Sequence, residues 1–359
     1  MSNGDHLFGE ELKRIAVVRA LYLGDLLLAV PALRALRQRF PKAEITLIGL
    51  PWARSFARRY RAYVDRFACF PGYPGIAERA WTAHSSAGLA RLRRLRFDLA
   101  IQLHGSGQAS NPFVLALGAR YAVGYYDPTV GERPTALTLA APYPHEAHEI
   151  WRNLGLIALL GGRADDPRLE FPLTACERKA AAALLAPLQP GQRPLIGLHA
   201  GARAPARRWP ATSFATLARL LMRHYEAQIV LTGSADERSI VQKVSEALPR
   251  PVLNLAGRTR LGTLAAVLSQ LDLFISNDTG VAHLACALGV PSITLFGPAD
   301  PRRWAPLDRS RHLVARLPVA CSPCPYSICP LDQRCLRWLA PSAILALAER
   351  LLAARRTGG

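Results

Sequence analysis

The stretch Arg14–Leu36, RIAVVRALYLGDLLLAVPALRAL, contains the pattern that decides the fold. Arg14–Ala20 is mainly apolar and predicts a buried strand. Asp25–Phe40 places apolar side chains near helical spacing, and it predicts a helix that follows the strand. A buried strand followed by an amphipathic helix is the repeating unit of an α/β domain with a parallel sheet.

The same alternation continues along the chain. Glu44–Leu50 and Phe97–Leu103 predict further strands in the first half. Ala186–Pro194, APLQPGQRP, has the composition of an interdomain linker, and the pattern restarts after it. Later strands are predicted over Leu195–His199, Gln228–Thr232, Val252–Leu255, Leu273–Ser276 and Ser292–Phe296, and later helices over Ser213–Tyr225, Ala235–Leu248 and Pro341–Arg355.

The length and this pattern together predict two α/β domains. A chain of 359 residues suits two domains of ordinary size. We expect a first doubly wound domain over residues 13–185 and a second over residues 190–359. Ligands of open α/β sheets bind at the carboxyl ends of the strands, so we expect the two parallel sheets to face a central cleft that holds the site.

Gly24 and Asp25 lie between the first predicted strand and the first predicted helix. Asp25 is a candidate helix N-cap, a position that aspartate favours. It is also a candidate general base, because a carboxylate at the carboxyl end of the first strand points into the expected cleft. Gly24 before it allows a substrate to approach closely. The residues alone leave both interpretations of Asp25 open.

The segment Ser276–His283, SNDTGVAH, joins a strand end to a helix start. Free backbone N–H groups and the helix dipole favour a phosphate there. Thr279 adds a hydroxyl donor beside Gly280, and His283 lies one turn into the helix. The alternative is that Asp278 or Thr279 only caps the helix and that His283 is a half-buried structural residue.

Two more loops follow strands of the second half. The loop after Leu195–His199 carries Gly201 and several arginines, including Arg207 and Arg208. This composition suits a phosphate-binding loop, or else a solvated basic loop. Glu237 follows another strand, where acidic residues bind ribose hydroxyls in nucleotide-binding sheets. Its alternative role is to supply negative charge to a first helical turn.

These motifs together resemble glycosyltransferase family 9, the ADP-heptose:lipopolysaccharide heptosyltransferases. The resemblance extends from about Arg14 to Leu339. It rests on VVRALYLGDLLLAVPALRAL near the start and on SNDTGVAHLACALGVPSITLFGPADPRRW near the end. It implies a GT-B fold, in which the N-terminal Rossmann-like domain holds the acceptor and the C-terminal one holds the nucleotide sugar. It also implies inversion at the sugar carbon.

The resemblance assigns roles to individual residues. Asp25 matches the family's proposed catalytic base, Glu237 falls at the ribose-binding glutamate, and Asn111 lies where acceptor contacts are expected. Arg207 falls where the family typically has a phosphate-binding lysine, and Gln102 where the family often has an acidic residue. The diphosphate-binding turn is matched by Asp278, Thr279, Gly280 and His283.

The predicted reaction is an in-line displacement of ADP from ADP-heptose by a lipopolysaccharide inner-core acceptor. Asp25 takes the acceptor proton, and Arg207, Arg208 and the helix end at Thr279 stabilise the leaving diphosphate. The chain has no Asp-x-Asp motif, so neither a metal nor another cofactor is expected. The alternatives are another nucleotide sugar, a different acceptor, or a non-catalytic basic module that binds nucleotides.

The charge and the hydropathy limit the partners and the location. The formal net charge is +19, with four lysines and forty-one arginines, which indicates a polyanionic partner. A nucleic-acid partner is not expected, because few aromatic residues interleave with the arginines. Anionic lipid head groups and a phosphorylated glycolipid suit them better, although a solvated surface is the alternative. The arginines cluster at Arg54, Arg58, Arg59, Arg61, Arg66, Arg91, Arg93, Arg94 and Arg96.

No apolar run approaches the roughly 20 residues of a membrane span, and Met1–Arg14 lacks the apolar core of a signal peptide. We therefore expect a cytoplasmic protein at the inner face of the cytoplasmic membrane. Its seven cysteines should then be thiols or metal ligands. Four of them follow the spacing C-x₂-C-x₄-C-x₅-C, which suits a structural zinc site or a cluster of free thiols: Cys321, Cys324, Cys329 and Cys335.

Overall fold

The computed structural model describes residues 12–76, 81–188 and 193–356. The chain divides between Leu169 and Glu170 into two compact units. Each unit contains one parallel sheet with helices packed on it, so the predicted α/β class is confirmed, and the fold is of the GT-B type. No helix in the described ranges is both long and apolar enough to cross a membrane.

The first unit has six described strands and six described helices. The strands are β1 (Arg14–Val18), β2 (Glu44–Gly49), β3 (Arg66–Cys69), β4 (Leu99–Gln102), β5 (Tyr121–Tyr126) and β6 (Leu139–Pro142). The helices are α1 (Leu23–Leu27), α2 (Val30–Arg39), α3 (Ala53–Arg59), α4 (Ala83–Arg93), α5 (Ser110–Ala116) and α6 (Glu149–Leu159).

The second unit repeats this plan. Its helices are α7 (Ala175–Leu185), α8 (Ala211–Tyr225), α9 (Arg238–Glu246), α10 (Leu261–Leu268), α11 (Gly280–Ala287), α12 (Pro301–Trp304), α13 (Arg334–Arg337) and α14 (Pro341–Arg356). Its strands are β7 (Leu195–His199), β8 (Gln228–Thr232), β9 (Leu253–Asn254), β10 (Leu273–Asn277), β11 (Ser292–Phe296) and β12 (His312–Arg316).

Both sheets have the strand order of a Rossmann fold. The first runs β3-β2-β1-β4-β5-β6, and the second runs β9-β8-β7-β10-β11-β12. The order therefore reverses between β1 and β4 in one sheet and between β7 and β10 in the other. A crevice opens at such a switch point, beyond the carboxyl ends of the two strands, and ligands bind there. The topology thus marks one candidate ligand edge in each unit.

The helix predicted over Asp25–Phe40 is divided in two. Helix α1 ends at Leu27, and α2 begins at Val30. The break follows from Pro31, which has no N–H to donate to the carbonyl of Leu27 and whose ring would clash with that carbonyl. Proline is accepted in the first turn of α2, where its missing N–H needs no partner.

The observed division of the chain lies before α7, whereas the expected first domain extended to residue 185. Helix α7 packs against α10, a helix of the second unit. The expected linker Ala186–Pro194 includes residues 189–192, which lie outside the described residues.

Candidate active site

A buried arginine organises the carboxyl end of β1. Arg19 directly follows this strand and is 1% exposed. Its Nε donates to the carbonyl oxygen of Asp25 at 2.8 Å, and its Nη1 donates to the carbonyl oxygen of Leu103 and to Asn153 Oδ1. Its Nη2 pairs with Glu149 Oε1 at 3.3 Å. One guanidinium thus fastens α1, the end of β4 and α6 to the end of β1.

Asp25 is the third residue of α1, so the interpretation of Asp25 as an N-cap is wrong; Tyr22 occupies the N-cap position. The Asp25 carboxylate instead reaches back and accepts a hydrogen bond from the Tyr22 backbone N–H at 3.3 Å. Burial raises the pKa of the Asp25 carboxyl, the positive charge of Arg19 opposes the shift, and the negative charge of Glu149 reinforces it. A carboxylate with a raised pKa is a stronger base, as proton abstraction near neutral pH requires.

His104 lies beside the same edge, two residues after the end of β4. Its Nδ1 accepts a hydrogen bond from the backbone N–H of Ala20 at 3.2 Å, which places the ring proton on Nε2. Burial, with the charge of Arg19 adding to it, lowers the pKa of His104 to about 4. The imidazole is therefore neutral at pH 7 and presents an N–H donor.

Gln102 stands where the family often has an acid, and its amide explains the difference. Its Nε2 donates to the carbonyl oxygens of His104 and Gly105 and to the hydroxyl of Ser110. Its Oε1 accepts from the backbone N–H of Tyr125 at 3.3 Å. An ionised carboxylate cannot donate any of these bonds. Gln102 therefore supports the loop that follows β4.

Asn111 lies in the first turn of α5 and is 5% exposed. Its Nδ2 donates to the carbonyl oxygen of Tyr125 at 2.8 Å, and its Oδ1 is buried without a hydrogen-bond partner among the described residues. Asn111 also lines a cavity of about 250 Å³, together with Tyr126 and Asp127. This cavity is a candidate acceptor subsite in the first unit, where Asn111 was expected to contact the acceptor.

Asn277 holds the corresponding edge of the second unit together, and the sequence analysis assigned no role to it. It ends β10 and is fully buried. Its Nδ2 donates to the carbonyl oxygens of Ala200 and Gly201, and its Oδ1 accepts from the backbone N–H of Trp209 at 2.9 Å. These bonds fix the arginine loop, the segment after β7 that carries Arg207 and Arg208, against the end of β10. The asparagine within SNDTG was the available signal.

Thr279 is the N-cap residue of α11, and Gly280 is the first helical residue, as predicted for the turn. The Thr279 hydroxyl oxygen is buried, and no described residue bonds to it. Arg207 Nη1 reaches this turn and pairs with Asp278 Oδ2 at 3.0 Å. The structure therefore brings together an unpaired hydroxyl, a helix N-terminus and an arginine, which are groups that bind phosphate. His283 is buried in the same helix.

Glu237 and Gly201 lie against each other. A Cβ atom added to Gly201 would lie 2.1 Å from the Glu237 carboxyl carbon, so a larger residue at this position would displace the Glu237 carboxylate. Glu237 Oε2 also accepts from the backbone N–H of Ser234 at 2.8 Å and lies 3.8 Å from His199 Nε2. The structure thus joins the two predicted residues at the ends of β7 and β8. Arg208 Nε donates to the carbonyl oxygen of Ala202, so this side chain also supports its own loop.

The four clustered cysteines line one small cavity in the second unit. None of the four is in a disulfide, and no group of three or more His, Cys, Asp or Glu residues in the described part of the chain is arranged to hold a metal ion. Burial and the neighbouring thiols raise the pKa of the Cys335 thiol. A hydrogen bond connects the cysteine segment to the arginine loop: the Ala206 N–H donates to the carbonyl oxygen of Ser327 at 2.9 Å.

The neutral state of His104 can be tested by titration. A histidine pKa lowered from its usual 6.5 to about 4 means that the unfolded chain binds more protons between these values, so stability falls as pH decreases through this window. We expect the His104 Cε1–H resonance of the folded protein to titrate with a midpoint near 4, identified by its loss in His104→Gln. A midpoint near 6.5 would show an exposed or charged imidazole.

Comparison with known proteins identifies the family of this chain. The family model of glycosyltransferase family 9 (heptosyltransferase) matches residues 88–334. The chain is 26% identical to lipooligosaccharide heptosyltransferase 2 of Campylobacter jejuni over 339 residues, which are 92% of this chain and 96% of that protein. The structure of the Escherichia coli ADP-heptose lps heptosyltransferase II matches 96% of this chain and 100% of its own, with a TM-score of 0.73 and 24% identity.

A family 9 glycosyl transferase from Veillonella parvula gives a TM-score of 0.77 at 22% identity, over 95% of this chain and 97% of that one. These two solved structures bear on the fold alone, whereas the family model covers well over half of this sequence. The alternative interpretation of this chain as a non-catalytic basic module that binds nucleotides is therefore wrong. The chain belongs to glycosyltransferase family 9 and is a glycosyltransferase.

Proposed function

We propose that this chain transfers heptose from ADP-heptose to an inner-core acceptor of lipopolysaccharide, with inversion, and that Asp25 is the general base. The family membership and the heptosyltransferase activity named for the relatives support heptosyl transfer. The observation that carries the role of Asp25 is its place at the switch point of the first sheet, with a carboxyl whose pKa is raised by burial.

The first unit supplies groups suited to a sugar acceptor. Asp25 takes the proton of the attacking hydroxyl, and Gly24 before it adds no side chain. Neutral His104 can donate from Nε2 to a hydroxyl oxygen without competing for the proton that Asp25 receives. Asn111 Oδ1 can accept a hydrogen bond from an acceptor hydroxyl, since no described residue donates to it.

The second unit supplies groups suited to a nucleoside diphosphate. The diphosphate accepts hydrogen bonds from the α11 N-terminus, at Thr279 and Gly280, and from Arg207. Asp278 is negative, so it serves by orienting Arg207 rather than by touching phosphate. Glu237, which lies against Gly201, accepts hydrogen bonds from the ribose hydroxyls. Arg208 and His283 complete the basic surroundings of the leaving group.

The transfer is a single displacement at the anomeric carbon of the donor sugar. The acceptor oxygen forms a bond to the anomeric carbon from the face opposite the diphosphate, and the bond between that carbon and the phosphate oxygen breaks. The acceptor proton moves to Asp25, and ADP leaves with the negative charge, which Arg207 and the α11 dipole stabilise. Attack from the opposite face inverts the configuration.

Another nucleotide sugar or another acceptor is the second candidate. The observation that favours it is Arg207, which replaces the lysine typical of the family at the leaving diphosphate. A planar guanidinium binds phosphate in a bidentate geometry that an ammonium group does not adopt. Parallel assays with ADP-heptose, ADP-glucose and UDP-glucose distinguish the donors, and ADP-heptose alone should give turnover.

The base is tested by ADP release from ADP-heptose with heptose-deficient lipopolysaccharide. We expect Asp25→Asn to lower kcat by about 10²–10⁴, the range in which general bases contribute. Binding of ADP should stay unchanged, because the groups assigned to it lie in the second unit. Asp65→Asn is the matched control, since it makes the same substitution at another carboxylate of the first unit, one that is paired with Arg37. Near-normal turnover of Asp25→Asn would refute the assignment.

We also propose that the exposed arginines of the first unit contact the anionic inner face of the cytoplasmic membrane. Arg54 and Arg58 are exposed on α3, Arg61 on the turn after it, and Arg91 and Arg94 at the end of α4. Each basic residue near an anionic bilayer contributes about 1 kcal/mol. This contact would hold the enzyme beside its phosphorylated glycolipid acceptor.

Liposome sedimentation tests the membrane contact. Replacing Arg58, Arg61 and Arg94 together by glutamine should weaken binding to phosphatidylglycerol vesicles at low salt about 100-fold, from roughly 1 kcal/mol per residue. A matched variant removes the same charge from exposed positions of the second unit: Arg178, Arg223 and Arg250. An equal loss of vesicle binding from this variant would contradict the assignment to the surface of the first unit.

A further inference from the structure

We propose that Glu149 is a positioning residue for the transfer reaction: by pairing with Arg19, it keeps that guanidinium directed away from the Asp25 carboxylate, so that Asp25 stays a competent base. The proposal rests on the proposed role of Asp25. It concerns a residue that no sequence motif indicates, because Glu149 lies 130 positions from Arg19.

The geometry of Arg19 carries the first step. Although Arg19 is near Asp25, its bond to that residue goes to the backbone carbonyl and not to the side chain. Its other donors are directed to Leu103, Asn153 and Glu149. The Asp25 carboxylate accepts instead from the Tyr22 N–H. The positive charge therefore acts on Asp25 through space, without a direct ion pair that would fix the carboxylate in its ionised form.

Glu149 is held where it can direct Arg19. It is the first residue of α6, and its side chain is 8% exposed. One carboxylate oxygen pairs with Arg19 at 3.3 Å, and the other pairs with Arg152 one turn along the helix. Arg152 also donates to the carbonyl oxygens before α6, including that of Pro144 at 2.9 Å. A carboxylate this buried requires such pairing, because desolvation is costly.

Helix α6 provides a second attachment that sets the position of Glu149. Asn153 lies one turn after Glu149, and its Oδ1 accepts from Arg19 Nη1 at 3.0 Å. Its Nδ2 donates to the carbonyl oxygen of Leu28, the C-cap residue of α1, at 3.0 Å. The helix that carries Glu149 is thus bonded both to Arg19 and to the helix that carries Asp25.

The charges around Asp25 balance when it is ionised. Arg19 from the end of β1 and Arg152 from α6 are positive, while Glu149 and Asp25 are negative. His104, after β4, is neutral at pH 7, and Tyr125 in β5 donates its hydroxyl to the Arg152 carbonyl oxygen, with its pKa raised mainly by burial. Removing the charge of Glu149 takes away the negative charge that raises the pKa of Asp25, while the positive charge of Arg19 that lowers it remains. The pKa of Asp25 then falls, and Asp25 becomes a weaker base.

The experiment measures kcat/KM against pH, because its acid limb reports ionisation of the free enzyme. Glu149→Gln keeps an oxygen that accepts from the arginines but removes the charge. We expect its acid limb to move to lower pH and its plateau rate to fall. Asp65→Asn, which removes a carboxylate paired with Arg37 away from this group, should leave the limb in place.

Arg152→Gln should shift the acid limb in the opposite direction. It removes one of the two positive charges that pair with Glu149, so the acid limb should move to higher pH. If Glu149→Gln fails to fold, the Arg152→Gln profile decides. A lower rate at every pH with an unmoved limb, in the variant that folds, would indicate a structural role and overturn the proposal. Full turnover of Asp25→Asn would instead refute the base itself, which separates the two failures.

Discussion

The arrangement of the first unit depends on satisfying one buried positive charge. Arg19 is 1% exposed, and an arginine so far from water is stable only with a complete set of partners. Those partners come from positions up to 134 residues away. The end of β4, the helix of Asp25 and helix α6 are therefore held together by the same guanidinium. The candidate base is placed by the bonds that satisfy this charge.

In the second unit, a neutral side chain makes the connection between the ends of the two central strands. Asn277 ends the fourth strand of its sheet and bonds to the backbone that follows the first strand, at Ala200 and Gly201. Arg19 makes the equivalent connection in the opposite direction, from the first strand to Leu103 after the fourth. Both side chains cross the switch point of a Rossmann-type sheet and connect the segments that follow its two central strands.

The sequence predicted the buried centre of the fold well and its periphery poorly. Strands β7, β8 and β11 have the predicted bounds, because a strand covered on both faces is a continuous apolar run. The edge strands β3 and β6 are short and partly exposed, so they gave no such signal. Glu237 and Gly201 were predicted from separate motifs, and the structure brings them together. Arg19 and Glu149 were not predicted, because a lone charge near a strand or helix end indicates its buried partner only once the chain is folded.

The most direct test of this account is the turnover of Arg19→Lys. Lysine keeps the positive charge but lacks the planar fork that reaches four partners. If the guanidinium positions the base, kcat for ADP release should fall about 10²-fold, as misplacement by about 1 Å produces, while ADP affinity stays that of the unaltered enzyme. Unchanged kcat with a lysine at this position would contradict the claim that Arg19 holds the catalytic edge in place.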